Sequence, residues 1–420
     1  MSDKEKSIHI NTPSVRETKN LIVSELKSFW HELTHPKPNL VMRTKGGMDK
    51  TFLLLILILL LVGSIMIFSS SYVYSAKKLG DAMYYVKRQA LYAGIGLLAM
   101  FGFSRLDYAL IKKLTFPLFI ISYLMLAAVP ILGRTHMGAT RWIKIGPIEF
   151  QPSETMKFAL VLVLAFYLSY FSTKLHKFTF GILIPGSLIA IVCATTIVEH
   201  HMSGTIILFL LGLFMISIAG ANLKTIAIGG GAFAGVALVI VLFTDYMKDR
   251  LDAWLHAEKY LTGKGWQPYQ SLLAIGSGGL FGVGLGNSLE KYLWLPEPHN
   301  DFIFAILCEE LGLIGALGLI TLFLLLVWRG LKIARNAPDL FSSYLVLGLI
   351  CKVFVQFVLN IAVVTSSIPT TGISLPFISF GGTALMVQLG EMGIVLSISR
   401  YKSTPNVSVT NKPIINSEGE

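Results

Sequence analysis

The stretch TFLLLILILLLVGSIMIFSSSY, residues 51–72, runs without a single charged side chain and decides the class of the fold. A helix needs about 20 predominantly apolar residues to cross the hydrocarbon core of a bilayer. The run starts at Thr51, behind a charged leader. The apolar part of a cleaved signal peptide lies within about the first 15–30 residues, so this run reads as a retained first span.

Similar runs follow at 86–104, 111–132, 154–171, 179–198, 203–220, 223–244, 301–328, 341–365 and 375–398. Backbone groups in lipid need internal partners, which makes helix the default for each. The expected fold class is an all-α integral membrane protein of about ten transmembrane helices. Composition agrees: 54% of the 420 residues are hydrophobic and 14% charged, against about 25% charged in soluble domains. The 38 glycines suit close helix packing in a membrane. The net charge of +11 reads as lysine and arginine gathered in cytoplasmic loops, not as a nucleic-acid surface. Cys193, Cys308 and Cys351 lie inside apolar runs with no CxxC spacing and read as packing residues.

With the N-terminus inside, the inner connections carry Arg105, Lys112 and Lys113, then Lys174 and Lys177, Lys224, Arg329, Lys332 and Arg335, and finally Arg400 and Lys402. This follows the positive-inside rule. The outer loop with Lys77, Lys78, Lys87 and Arg88 runs against it. An even span count places both termini in the cytoplasm. The expected domains are a cytoplasmic extension at 1–47, a membrane domain at 48–402 and a cytoplasmic tail at 403–420. Within the extension, Leu21 to Leu33 reads either as an amphipathic helix on the membrane surface or as an unstructured tail.

Two outer loops are long and irregular in pattern. One spans Gly133 to Ser153 and carries Arg134, Arg141, Trp142 and Lys144. The other spans 245–300, between spans 7 and 8, with Trp254, Trp266, Tyr269 and a glycine cluster at 276–286. Loops beyond about 15 residues are usually functional or disordered. The cluster follows no strand, so its nucleotide-loop look carries no weight, and there is no GxxxxGK[ST] or HExxH. Energy for any chemistry must therefore come from the substrate.

Ionisable residues inside spans mark function by default. Glu154 and Lys157 share a helix face at i,i+3 and are expected to pair, behind a start at Pro152 with Ser153 helping to cap. Glu309 and Glu310 lie deeper in the eighth span, and Lys352, Gln356 and Asn360 form a stripe in the ninth. Gln388 and Glu391 lie in the tenth. Lys352 is expected to pair with Glu309, Glu310 or Glu391. Asp301 closes the double-proline turn LPEPHND (295–301), beside Glu297 and His299 at the water boundary. It suits either a general base on a hydroxyl or a ligand of a divalent cation, Mg2+ or Mn2+, that neutralises pyrophosphate. The segment PTTGISLPFISFGG (369–382) breaks regular helix, and such backbone at membrane depth is expected to line a cavity. The adjacent His200 and His201 do not share a helix face and read as interfacial, not as a metal site.

Three outer-face motifs carry a resemblance: RWI…G…QPSExxK from Arg141 to Lys157, GxGNSxxKxxxLPExHxDFIFA from Gly284 to Ala305, and the 369–382 segment. Together they resemble the SEDS (shape, elongation, division and sporulation) family, closest in form to its FtsW/SpoVE branch, over roughly Met48 to Lys402. The resemblance implies a peptidoglycan glycosyltransferase of the bacterial cytoplasmic membrane. Such enzymes polymerise lipid II at the outer face and release undecaprenyl pyrophosphate. It implies Asp301 as the catalytic residue, and Arg141, Glu154, Lys157, Lys291, Glu297, His299 and Ser379 as the substrate-binding set. The implied partners are a class B penicillin-binding protein, meeting the eighth or ninth span, and other divisome or elongasome proteins. Two departures stand out. The family's Gln/Glu-Pro-Asp-x-Gly-Thr motif reads Glu199-His-His-Met-Ser-Gly-Thr205 here, without its Pro and Asp. Its His-Thr-Asp reads His299-Asn300-Asp301. A lipid II flippase and a non-enzymatic division scaffold are the alternative readings.

Overall fold

A computed structural model of the chain describes residues 15–34, 43–136, 139–146, 148–199, 201–221, 245–256 and 265–403, with residues 227, 229–231, 235 and 263. The helices are α1 (Val15–Thr34), α2 (Lys50–Leu79), α3 (Tyr84–Arg105), α4 (Tyr108–Lys113), α5 (Thr115–Leu132) and α6 (Pro152–Tyr170). They continue with α7 (Ile184–Val198), α8 (Met202–Ile218), α9 (Asp245–Leu255), α10 (Trp266–Ser277), α11 (Ile303–Arg335), α12 (Leu340–Val364) and α13 (Thr383–Ser399). Among the described residues, six helices are long and apolar enough to cross a membrane: α2, α5, α6, α7 with the π turn that leads into it, α11 and α12. The protein is a mostly helical, multi-pass membrane protein. Most of the expected seventh span at 223–244, His200, and nearly all of the 403–420 tail lie outside the described residues.

Each of the other expected spans coincides with helix, with two corrections. The third is divided at Leu114 into α4 and α5. The tenth begins at Thr383, not at 375, because the chain reaches it through Gly382 at φ 51. The two long loops are also more regular than expected. Gly133 to Ser153 folds into an antiparallel sheet of β2 (Arg134–His136), β3 (Ala139–Ile145) and β4 (Ile148–Phe150), which follow β1 (Arg43–Lys45) in chain order. Gly146, at φ 63, supplies the positive φ that a two-residue hairpin turn requires. The 245–300 loop holds α9 and α10, and α10 packs on α11 with Ser271 and Ala274 among its buried residues.

The core centres on α6, which is buried from Pro152 to Leu168 except at Thr155 and Phe158. A helix apolar on all sides belongs inside a bundle, and α5, α8 and α12 surround it. In contrast, α11 exposes Leu313, Ile314, Leu317, Leu324 and Trp328, a face suited to lipid.

Helix α11 is broken at Gly312, at φ 66 and ψ −166. The groups freed by the break are satisfied by the glycine cluster. The Glu309 and Glu310 carbonyls accept from the N–H groups of Val283 (2.9 Å) and Gly284 (3.0 Å). The Leu313 and Ile314 N–H groups donate to the Gly279 (2.9 Å) and Leu280 (3.2 Å) carbonyls. A Cβ on Gly312 would fall 2.4 Å from the Gly282 nitrogen, so only glycine allows this approach. The glycine cluster is thus a backbone seam.

The ends of the membrane domain meet. β1 pairs antiparallel with β5 (Tyr401–Ser403). Asp49 caps α2, accepting from the Phe52 N–H at 2.9 Å, and binds Arg329 at 2.8 Å. At this end α1 docks on the bundle. Phe29 sits among Phe166, Tyr167, Tyr170 and Phe171, with centroids 5.3 to 5.8 Å apart. Glu25 pairs with Lys174 at 2.6 Å. The Leu21 to Leu33 stretch is therefore helical and held against aromatic rings.

Candidate active site

Helix α6 begins with Pro152 in its first turn, where a missing N–H costs nothing. The expected Ser153 cap is not made: its hydroxyl is buried without a partner. The expected ion pair is made, with Lys157 Nζ 2.7 Å from Glu154 Oε1. Lys352, on α12, pairs with Glu391 on α13 at 2.6 Å, which decides among its three expected partners. Glu309 instead accepts from the Ser288 hydroxyl (2.5 Å) and the Leu289 N–H (2.7 Å). Glu310 accepts from the Ser69 hydroxyl (2.6 Å) and pairs with Lys291 at 3.0 Å.

A cavity of about 960 Å3 opens between these elements. Its charged lining includes Arg88 on α3, Arg141 and Lys144 on β3, Glu149 on β4, Glu154 and Lys157 on α6, Arg250 on α9, and Glu297 and Asp301 in the turn before α11. Tyr84, Tyr85, Tyr92, Trp142 and Trp266 add aromatic faces. Gln356, His201 and Ser203 add neutral polar groups. The segment from Thr370 to Ser374, with Phe380 to Gly382, forms part of the wall, as its broken pattern led us to expect.

Asp301 stands at this wall. Burial, with the Glu297 carboxylate beside it, pushes its carboxyl up to about 6, against the opposing pull of Arg141 and Arg250. Gly372, at φ 71, lies against it: a Cβ there would be 3.2 Å from Asp301 Oδ2. Arg250 donates to the Thr370 carbonyl at 2.5 Å, tying α9 to the same wall. The backbone around Asp301 is held at three successive carbonyls. His299 accepts from the Phe380 N–H (3.0 Å), Asn300 from the Ser379 hydroxyl (2.7 Å) and Asp301 from Asn360 Nδ2 (2.7 Å).

Of the expected set, Arg141, Glu154, Lys157, Glu297 and Asp301 meet in the cavity, whereas Lys291, His299 and Ser379 stand behind its wall. Lys291 is committed to Glu310, Ser69 and the Gly286 carbonyl. His299 is fully buried, its ring 3.9 Å from that of Tyr85 and 5.2 Å from that of Tyr74. Burial pushes its imidazole down to about 3, so it is neutral. Ser379 spends its hydroxyl on Asn300 and accepts from the Leu375 N–H.

Sequence reasoning missed Arg250 and the cavity role of His201. His201 lies in the stretch Glu199 to Thr205, which lacks the motif's Pro and Asp. Its ring rests on Gly204, and its imidazole is held well below the ordinary value by burial and by Arg141 and Lys157. Glu199 is buried beside this turn and pushed up to about 8, with Arg141 pulling the other way. Among the described residues, no cluster of three or more His, Cys, Asp or Glu is placed to hold a metal ion. Asp301 and Glu297 together still offer two carboxylates at one wall. That is the usual protein share for a hard cation that takes further oxygens from substrate phosphate.

Comparison with known proteins places the chain in a family. Residues 49–404 match the FtsW/RodA/SpoVE family of cell cycle proteins. The chain is 39% identical over 369 residues to stage V sporulation protein E of Bacillus subtilis (strain 168), covering 85% of this chain and 98% of that protein. It is 37% identical over 361 residues to the probable peptidoglycan glycosyltransferase FtsW of Geobacter sp. (strain M18), covering 85% and 98%. Among solved structures it is similar to the rod shape determining protein RodA of Thermus thermophilus, with a TM-score of 0.63 at 26% identity, over 84% of this chain and 97% of that one. It is also similar to a chain of a peptidoglycan synthase complex that coordinates polymerization and crosslinking, with a TM-score of 0.71 at 25% identity, over 84% and 98%. The match runs from the cap of α2 past β5 and takes in every element that lines the cavity, and on that ground this chain belongs to the FtsW/RodA/SpoVE family.

Proposed function

We propose that this protein is a peptidoglycan glycosyltransferase that polymerises lipid II at the outer face of the bacterial cytoplasmic membrane, in cell division or sporulation. The observation that carries the reading is Asp301, a carboxylate raised toward neutral pH and fixed at the wall of a cavity that also holds Arg141, Lys157 and Arg250. Such a group is suited to general-base work. The acceptor sugar hydroxyl gives its proton to Asp301 as its oxygen bonds to the donor's anomeric carbon. The bond from that carbon to the pyrophosphate oxygen breaks, and undecaprenyl pyrophosphate leaves. Arg141 and Arg250 lie where cations can offset charge on the leaving group. A Mg2+ or Mn2+ ion held by Asp301 and Glu297 would neutralise pyrophosphate in the same way. The tyrosines of the wall offer faces for sugar rings. Lys291, His299 and Ser379 hold the wall and do not touch substrate.

The topology belongs to the same proposal: ten spans, an outer loop between spans 7 and 8, and both termini cytoplasmic. The antiparallel pairing of β1 with β5 supports an even count, since it joins the two ends of the membrane domain. A class B penicillin-binding protein is the proposed partner, with a contact on α11 or α12. Its support is the likeness to a chain of a peptidoglycan synthase complex.

The test is polymer formation by purified protein from labelled lipid II, read on a gel. Wild-type protein is expected to make polymer and Asp301→Asn protein almost none. Lipid movement across vesicles without any polymer would favour the flippase reading instead. Polymer at the wild-type rate from Asp301→Asn would remove that residue from the chemistry.

A further inference from the structure

We infer that Asn360 is the positioning residue for Asp301, acting through one side-chain amide that bridges the two backbone segments of the cavity wall. Asn360 lies on α12 and is fully buried. Its Nδ2 donates to the Asp301 carbonyl at 2.7 Å and to the Ile373 carbonyl at 2.6 Å. Both hydrogens of the amide are thereby used, and the flipped orientation would set an oxygen against two oxygens. The two carbonyls belong to different segments, the turn before α11 and the 369–382 stretch. Gly372, the neighbour of Ile373, is the residue that lies against the Asp301 carboxylate. One amide on a membrane helix therefore fixes the distance between the base and the backbone that faces it.

The other two clamps do not do this. The Ser379 hydroxyl and the Phe380 N–H hold the Asn300 and His299 carbonyls, but both donors come from the 369–382 segment itself. They join the two wall segments to each other. Asn360 alone among these donors joins them to a spanning helix.

Removing the amide leaves two buried carbonyls without their donor and lets the segments part. The carboxylate then loses its alignment and gains water. The charged groups that act on it are Glu297 from its own turn, Arg141 from β3 and Arg250 from α9, and none of these is altered by the change. Misplacement of a base by about 1 Å costs on the order of 100-fold in rate. The inference rests on the glycosyltransferase reading above.

The experiment measures kcat and KM for lipid II in purified full-length wild-type, Asn360→Ala and Asn360→Gln proteins. In Asn360→Ala, kcat is expected to fall about 10- to 100-fold with KM little changed. Asn360→Gln keeps both donors on a longer arm and is expected to recover part of kcat. If Asn360→Ala does not fold, Asn360→Ser, whose hydroxyl serves one carbonyl, carries the same comparison. Unchanged kcat, or a loss of kcat that Asn360→Gln does not recover, would overturn the inference. Wild-type protein that makes no polymer would instead overturn the reading beneath it.

Discussion

Asp301 sets the expected pH dependence at the scale of single residues. A general base works when ionised, so a carboxyl raised to about 6 makes the rate fall as pH drops through about 6. An ordinary aspartate, near 3.9, would hold the rate to about pH 4. Glu297→Gln removes the like charge that helps raise Asp301, so the limb of the kcat profile should move to lower pH. Initial rates of polymer formation between pH 4 and 8 check both statements. His299 makes a contrasting case. Both its ring nitrogens are buried without partners, and an unsatisfied buried polar atom costs about 1–3 kcal/mol. His299→Phe should therefore leave thermal stability in detergent unchanged or higher and keep polymerisation. A large loss of activity in a stably folded His299→Phe protein would place the ring in the substrate path. These residues also show what a sequence can reveal of a site. Asp301, Glu297, Arg141, Glu154 and Lys157 were legible because charge at a water boundary needs a reason. Lys291 and His299 share their motif but not their cavity, and the turn between them passes through positive φ at Leu293 (φ 76) and Glu297 (φ 47), which no sequence period announces. Asn360 was visible only as part of a polar stripe, because its two carbonyls arrive from 13 and 59 residues away.

Helices and loops obey the same logic one level up. The long spans were legible because hydrocarbon demands an apolar run of fixed length. The contents of the two long loops were not. α9 and α10 are short, and α10 buries polar residues: the Ser271 hydroxyl donates to the Val364 carbonyl at 2.7 Å, closing the C-terminal end of α12. No apolar period announces a helix of that kind. The Lys352–Glu391 pair, between α12 and α13, offers a test at this scale. Breaking a buried pair by removing one partner costs about 3–5 kcal/mol, whereas replacing both with apolar groups is often neutral. Lys352→Met should lower the melting temperature, and Lys352→Met with Glu391→Leu should recover most of the loss. An unchanged melting temperature in the single variant would show that the pair carries no stability.

For the molecule as a whole, α6 spans the distance between two different jobs. Glu154 and Lys157 at its start line the cavity, while Phe166 to Phe171 at its end grip α1, about 18 Å away along the axis. Sites so far apart usually act independently. Deleting residues 1–47 should then leave polymerisation by the purified protein within about twofold. A much larger loss would mean that the extension governs the site through α6. The seam at Gly312 has a consequence for how the protein is made. The break lies about 13 Å inside α11, and the backbone groups on both sides of it find partners only in residues 279–284. Within hydrocarbon neither segment can stand with those groups bare. Residues 279–284 and 309–314 must therefore pair with each other before either can settle in hydrocarbon. A nascent chain arrested short of Ile314 would hold a half-inserted loop, open to proteases and to insertion chaperones, until the ribosome delivers the rest.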